Sequence, residues 1–119
     1  MRDFRQLRVW EDAHRLPLEI YKITKEFPKE ELFALTNQIR RASTSIGSNI
    51  AEGCGRGSNK DYAHFSQIAI GSAFEVDYQL LLAKDLSYID AKKYLSISEK
   101  TDALKRQLAA LLQKVRNSS

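Results

Sequence analysis

Apolar residues recur at three- and four-residue spacing through most of this chain, the period of a helix with one buried face. From about residue 9 to 27, Val9, Ala13, Leu16, Ile20, Ile23, Thr24 and Phe27 share a face. Pro17 lacks the N–H that would bond the Ala13 carbonyl, which predicts a kink or a late helix start. Pro28 disfavours helix at Phe27 and ends the segment. From about 30 to 52, Leu32, Leu35, Ile39, Ala42, Ile46 and Ile50 line one face, and "GCGRG" breaks it with Gly53 placed for a left-handed cap. From about 59 to 86, Tyr62, Phe65, Ala69, Ala73, Val76, Leu80 and Ala83 form a stripe, with Ser58 as N-cap and Asp61 three residues on. From about 91 to 116, after the N-cap candidate Asp90, Tyr94, Ile97, Thr101, Leu104, Leu108, Leu111, Leu112 and Val115 face one way. Four amphipathic helices with short connections predict one all-α domain over residues 1–119, an antiparallel up-down-up-down four-helix bundle.

Two helices carry more than one buried face requires. In the second, Ser43, Gly47 and Ala51 are spaced by four beside the apolar stripe, a shallow groove into which another helix settles closely. That helix belongs either to the same bundle or to another subunit. In the third, Ala63, Ile70, Phe74 and Leu81, with Tyr78 nearby, form a second apolar face. A helix apolar on two faces is buried on two faces, so the surplus predicts a homo-oligomer. Ser43, Gly47, Ala51, Ile70, Phe74 and Leu81 are the candidate interface.

Composition narrows the class without naming a function. The 119 residues hold two prolines and five glycines, a poor supply of turn residues for an all-β domain. A net charge of +4 permits an anionic partner without demanding one. The single cysteine, Cys54, excludes an intramolecular disulfide and fits a reducing compartment. No apolar run reaches the length of a signal peptide or a membrane span, so the expectation is a cytoplasmic protein with no membrane partner.

Candidate chemistry is thin. Glu11-x-x-His14 and Asp61-x-x-His64 have the spacing of di-metal bundle ligands, but Glu11, His14 and His64 point away from the buried stripes. Nothing places a base or an orienting acid beside Cys54. "GCGRGSNK" is glycine-rich ahead of a helix, yet it is no P-loop and no strand precedes it. The reading is no enzyme, no cofactor and no metal. The basic residues are more informative. Arg2, Arg5 and Arg8 precede the first helix, and Arg56 and Lys60 flank the glycines. Lys92, Lys93, Lys100, Lys105, Arg106, Lys114 and Arg116 load the last helix. The candidate nucleic-acid contacts are Arg56, Lys60, Lys92, Lys93, Lys105, Arg106, Lys114 and Arg116. Solvated helix surface, with cations favoured at a helix C-terminus, explains the same residues equally well.

"RRASTSIGSNIAEGCGRGSNKDY" brings these features to a family. With the flanking "FRQLRVWEDAHRLPLEIYKITKEFP", it resembles the four-helix bundle proteins encoded in intervening sequences of bacterial 23S rRNA genes, also labelled S23 ribosomal proteins. The accessory variability determinants of diversity-generating retroelements are related to them. Arg40, Arg41, Ala42, Ser45, Ile46, Asn49, Ile50, Ala51, Glu52, Gly53 and Arg56 carry the resemblance. It implies an antiparallel bundle assembling as a homopentamer, without catalytic activity. It also implies nucleic acid and a reverse transcriptase as partners of the retroelement relatives. Among the motif residues, Arg40, Arg41, Ser45, Asn49, Glu52 and Gly53 are expected to join helices or subunits, with direct ligand contact the alternative for the charged ones. The leading functional reading is an oligomeric scaffold that binds RNA or DNA, weakly or with a protein partner. The alternative is a protein–protein interaction module without nucleic acid.

Overall fold

Side-chain caps set the starts of the two longest helices. The Ser58 hydroxyl accepts from the Asp61 N–H at 3.1 Å, and the Asp90 carboxylate accepts from the Lys93 N–H at 2.7 Å. The computed structural model describes residues 2–118. Among them, helices α1 (Arg8–Thr24), α2 (Leu35–Gly55), α3 (Asn59–Asp85) and α4 (Ala91–Asn117) account for most of the chain, and no strand is present. One-turn 3-10 segments precede α1 at Phe4–Gln6 and α2 at Lys29–Glu31. A 27-residue helix is about 40 Å long at 1.5 Å per residue. The molecule measures 45 × 24 × 20 Å, so the helices lie along its long axis as a bundle.

Contacts between helices pair rising numbers with falling ones. Gln107 donates to Asp12 at 2.8 Å while Lys100 pairs with Glu19 across α1/α4. Arg116 donates to Gln67 and Lys105 to Asp77 across α3/α4. One end of the bundle therefore gathers the starts of α1 and α3 with the ends of α2 and α4. There the Arg2 N–H donates to the Cys54 carbonyl and the Arg2 guanidinium to Asn59, which itself donates to the Ser118 carbonyl. At the other end Tyr88 donates to Glu31 at 2.7 Å and its ring packs on Phe27.

The core is built from the stripes read in the sequence: Ile20, Ile39, Ile46, Val76, Leu80 and Leu108 are inaccessible to solvent. Small residues interleave with them. Ala13, Ala69, Ala73 and Ala83 are equally buried and let the helix axes approach.

Four local expectations change. First, α1 runs unbroken from Arg8 through the buried Pro17, so there is no late start. It stops at Thr24, with Phe27 buried beyond the helix. Second, α2 begins at Leu35, not near residue 30. Ala34, at φ −125° and ψ −110°, breaks the helical path, and Leu32 is carried to the surface. The crossing from α1 to α2 needs those residues, and Glu31 anchors it by accepting from both the Leu35 N–H and Tyr88. Third, Gly53 is no left-handed cap. The helix continues to Gly55, and no described glycine has a positive φ. A Cβ at Gly53 would lie 3.0 Å from Tyr62 Cδ1 and 3.2 Å from Phe65 Cβ, so glycine is required by the close approach of α2 to α3. Fourth, α3 ends at Asp85, one residue early, because the α3–α4 turn places Ser87 at φ 65°.

Candidate interaction surfaces

Each of the four seams between neighbouring helices has its own chemistry. Across α1/α2, Gly47 leaves room for the Trp10 indole and the Ala13 backbone. Trp10 stacks on His14 with ring centroids 5.0 Å apart and is flanked by Phe4. Outside this contact lies an open, mainly apolar groove of about 460 Å³, lined by Trp10, Pro17, Leu18, Tyr21, Gly47 and Ala51 among others. Ser43 and Gly47 are buried within the bundle, whereas Ala51 is half-buried at the groove. The row of small residues thus serves contact between α1 and α2 and also shapes a surface depression.

Across α3/α4, the second apolar face of α3 stands out of the bundle. Phe74 and Tyr78 are 57% and 63% exposed, Leu81 is also exposed, and Ile70 and Ala63 are half-buried. Lys105 lies beneath this ridge, 4.4 Å from the centre of the Phe74 ring, and pairs with Asp77 at 2.7 Å and Asp102 at 3.2 Å. The hydrogen bond to Asp77 raises the Lys105 pKa further and keeps the cation charged. Lys105 therefore braces an aromatic ridge and is already committed to two carboxylates.

Across α2/α3 is a polar cleft of about 320 Å³ lined by Gln38, Arg41, Ala42, Ser45, Ser72 and Glu75. Asn49 donates to the Ser45 carbonyl and hydroxyl, and Ser45 and Ser72 share a hydrogen at 2.9 Å. The Gln79 amide, 5% exposed, donates to Glu75 Oε2 at 3.2 Å, while its own carbonyl is buried with no partner among the described residues. An orphaned buried acceptor costs about 1–3 kcal/mol. The sequence reading missed Gln38, Ser72, Glu75 and Gln79. Only Gln79, polar yet phased with Val76 and Leu80 on the core side, carried a signal. The fourth seam, α1/α4, is crossed by the Lys100–Glu19 and Gln107–Asp12 contacts.

The basic residues do not form one surface within a single chain. Arg56, Lys60, Lys114 and Arg116 gather with Arg2 at the end where Asn59 meets Ser118. Lys92 and Lys93 lie at the opposite end, in the first turn of α4, and Lys105 and Arg106 lie midway. Arg56 pairs with Glu52 at 3.3 Å and lies over Phe65; Arg116 is held by Gln67. Lys60, Lys92, Lys93, Arg106 and Lys114 have no ion pair among the described residues.

The motif residues divide just as sharply. Arg40 Nε donates to Thr24 Oγ1 at 2.9 Å and its guanidinium lies over Tyr21, fastening α2 to α1. Arg41, one residue on, is exposed, and no described residue engages its guanidinium. Glu11, His14 and His64 are exposed, and no three His, Cys, Asp or Glu among the described residues cluster closely enough to hold a metal. Cys54 is buried against Tyr62. Burial raises the thiol pKa and pushes the Tyr62 phenol up to about 12, so both are protonated at neutral pH. No described helix is long and apolar enough to cross a membrane.

The described residues form an all-helical bundle with an exposed aromatic ridge and an apolar groove. The family model of the 23S rRNA-intervening sequence proteins matches residues 5–110, and the chain belongs to that family. It is similar to the crystal structure of a protein of unknown function from the S23 ribosomal protein family of Bacteroides thetaiotaomicron. The TM-score is 0.82 at 28% identity, over 88% of this chain and 95% of that one. No curated protein matches the chain.

Proposed function

We propose that this chain is a non-enzymatic scaffold that assembles with copies of itself and binds nucleic acid. The observation that carries the assembly is the exposed ridge of Phe74, Tyr78 and Leu81 together with the apolar groove beside Trp10 and Pro17. The opposed order of contacts supports an antiparallel up-down-up-down course, in which α1/α2 and α3/α4 are opposite seams of the bundle. A ridge on one side and a groove on the other favour a head-to-tail contact, which closes into a ring. Five copies are the number that the resemblance implies.

The unpaired cations Lys60 and Lys114 beside Arg2 support the nucleic-acid part. In a ring whose axis follows the bundles, every copy presents this basic end on the same rim. Phosphate contacts too weak singly then act together.

Sedimentation velocity on the wild type and on Tyr78→Glu tests the assembly. The wild type is expected to sediment as a closed oligomer and the variant as a folded monomer, since a charge cannot enter an apolar groove unpaired. A monomeric wild type overturns the reading. Charge reversal at Lys60 and Lys114 is expected to weaken RNA and DNA binding and to flatten its salt dependence. An oligomer that binds neither polymer at low salt would leave the protein-only module.

A further inference from the structure

The α2/α3 cleft contains one charged group of each sign, unpaired with each other, and two of its members are held from behind. Buried Gln79 donates to Glu75 Oε2, while Glu75 Oε1 accepts from no described residue, and Glu75 lines the cleft. Asn49 fixes Ser45, and Ser45 shares one hydrogen with Ser72. Whichever serine donates, one hydroxyl hydrogen of the pair remains for a third group. Arg41 supplies a guanidinium that no described residue engages. Side chains held by partners of their own are the mark of a site arranged ahead of its ligand.

The donor set selects a ligand. Glu75 disfavours a bare anion, and Arg41 disfavours a bare cation. What fits is an anionic group with a hydroxyl a few ångströms away that can donate and accept at once. A ribonucleotide unit has both: a phosphate for Arg41, and a ribose 2′-hydroxyl that donates to Glu75 and accepts from the serine pair. Arg41 and Ser45 are one helical turn apart, about 6 Å along the axis, which suits a neighbouring phosphate and sugar. We infer that this cleft is a ribose-reading subsite for single-stranded RNA, which makes the protein prefer RNA to DNA.

The inference rests on the nucleic-acid reading above and adds selectivity to it. Continuity along α2 supports a polymer over a free nucleotide. Arg56 caps the C-terminal end of α2, 15 residues on from Arg41 and about 22 Å further along the axis at 1.5 Å per residue, so a strand held at the basic end reaches the cleft. The α2/α3 seam also lies between the ridge and the groove, so the proposed ring leaves it uncovered.

The test is fluorescence anisotropy with fluorescein-labelled oligouridylate and its 2′-deoxy counterpart at low salt, on wild type, Arg41→Ala and Glu75→Ala. Wild type is expected to bind the ribo form at least several-fold more tightly. Arg41→Ala is expected to weaken both by about tenfold, the size of one charge-assisted contact. Glu75→Ala is expected to abolish the preference while leaving deoxy binding unchanged or stronger. Arg41→Ala is expected to leave melting by circular dichroism unchanged, whereas Glu75→Ala orphans the buried Gln79 amide and is expected to lower the melting temperature without unfolding the protein. Equal binding of the two polymers by wild type overturns the subsite and spares the nucleic-acid reading. Binding of neither overturns both. A change of oligomeric state in either variant would assign the cleft to a subunit contact and overturn it as well.

Discussion

Arg40 and Arg41 are adjacent in the chain, yet only Arg40 is tied into the bundle, through Thr24 and the Tyr21 ring. The sequence leads one to expect both, with Glu52, to join helices or subunits, with direct ligand contact the alternative, because a helical wheel gives direction but not the partner waiting on another helix. The same blindness hid Gly53, whose demand for glycine comes from Tyr62 and Phe65 across the turn and not from its own dihedrals. Tyr62 itself supports a prediction. Burial, and secondarily the Cys54 thiol, raise its pKa from 10 to about 12 in the fold. An acid whose folded pKa lies above its unfolded value contributes stability that is complete below the unfolded pKa. That stability is lost as pH rises through the folded one. The Tyr62 contribution is therefore expected to hold up to pH 10, while the buried Cys54 thiol, raised from 9.0, begins to withdraw stability above pH 9. Between pH 10 and 12 stability is expected to fall further as Tyr62 ionises first in the unfolded chain, and Tyr62→Phe should flatten that part of the decline. An unchanged alkaline slope in the variant would show that other groups cause it.

The four helices were legible because each carries an unambiguous 3.6-residue stripe, and the caps Ser58 and Asp90 fixed two starts to the residue. The start of α2 was not legible. Leu32 and Leu35 obey helical spacing equally, and only the geometry of the crossing from α1 sends one outward and the other in. That difference is measurable. Leu35→Ala is expected to cost about 2–4 kcal/mol in urea denaturation, as for a truncated core leucine. Leu32→Ala is expected to stay within about 0.5 kcal/mol. Equal losses would mean that α2 starts a turn earlier. On the second face of α3, Phe74, Tyr78 and Leu81 are exposed, whereas Ile70 and Ala63 are half-buried. The α2/α3 cleft was invisible, because its members are ordinary polar residues until two helices align them.

For the molecule as a whole, the seams distribute the work. The α1/α2 and α3/α4 seams offer apolar shapes to other copies, α2/α3 offers polar groups, and one end concentrates cations. The α1/α4 seam differs from all of these. It has the sparsest packing of the four, and the side chains that bridge it are the Glu19–Lys100 pair and the Asp12–Gln107 hydrogen bond. Exposed ion pairs contribute little and are screened by salt. The bundle is thus less a closed cylinder than a book whose covers are α1 and α4 and whose spine is α2 and α3. Its first excursions from the native state should be openings of α1. Amides of α1 are expected to exchange with solvent sooner than those of α3, and molar salt should widen the gap. Uniform exchange across the four helices would refute this. A scaffold that opens along one seam does not have to unfold to admit a partner helix.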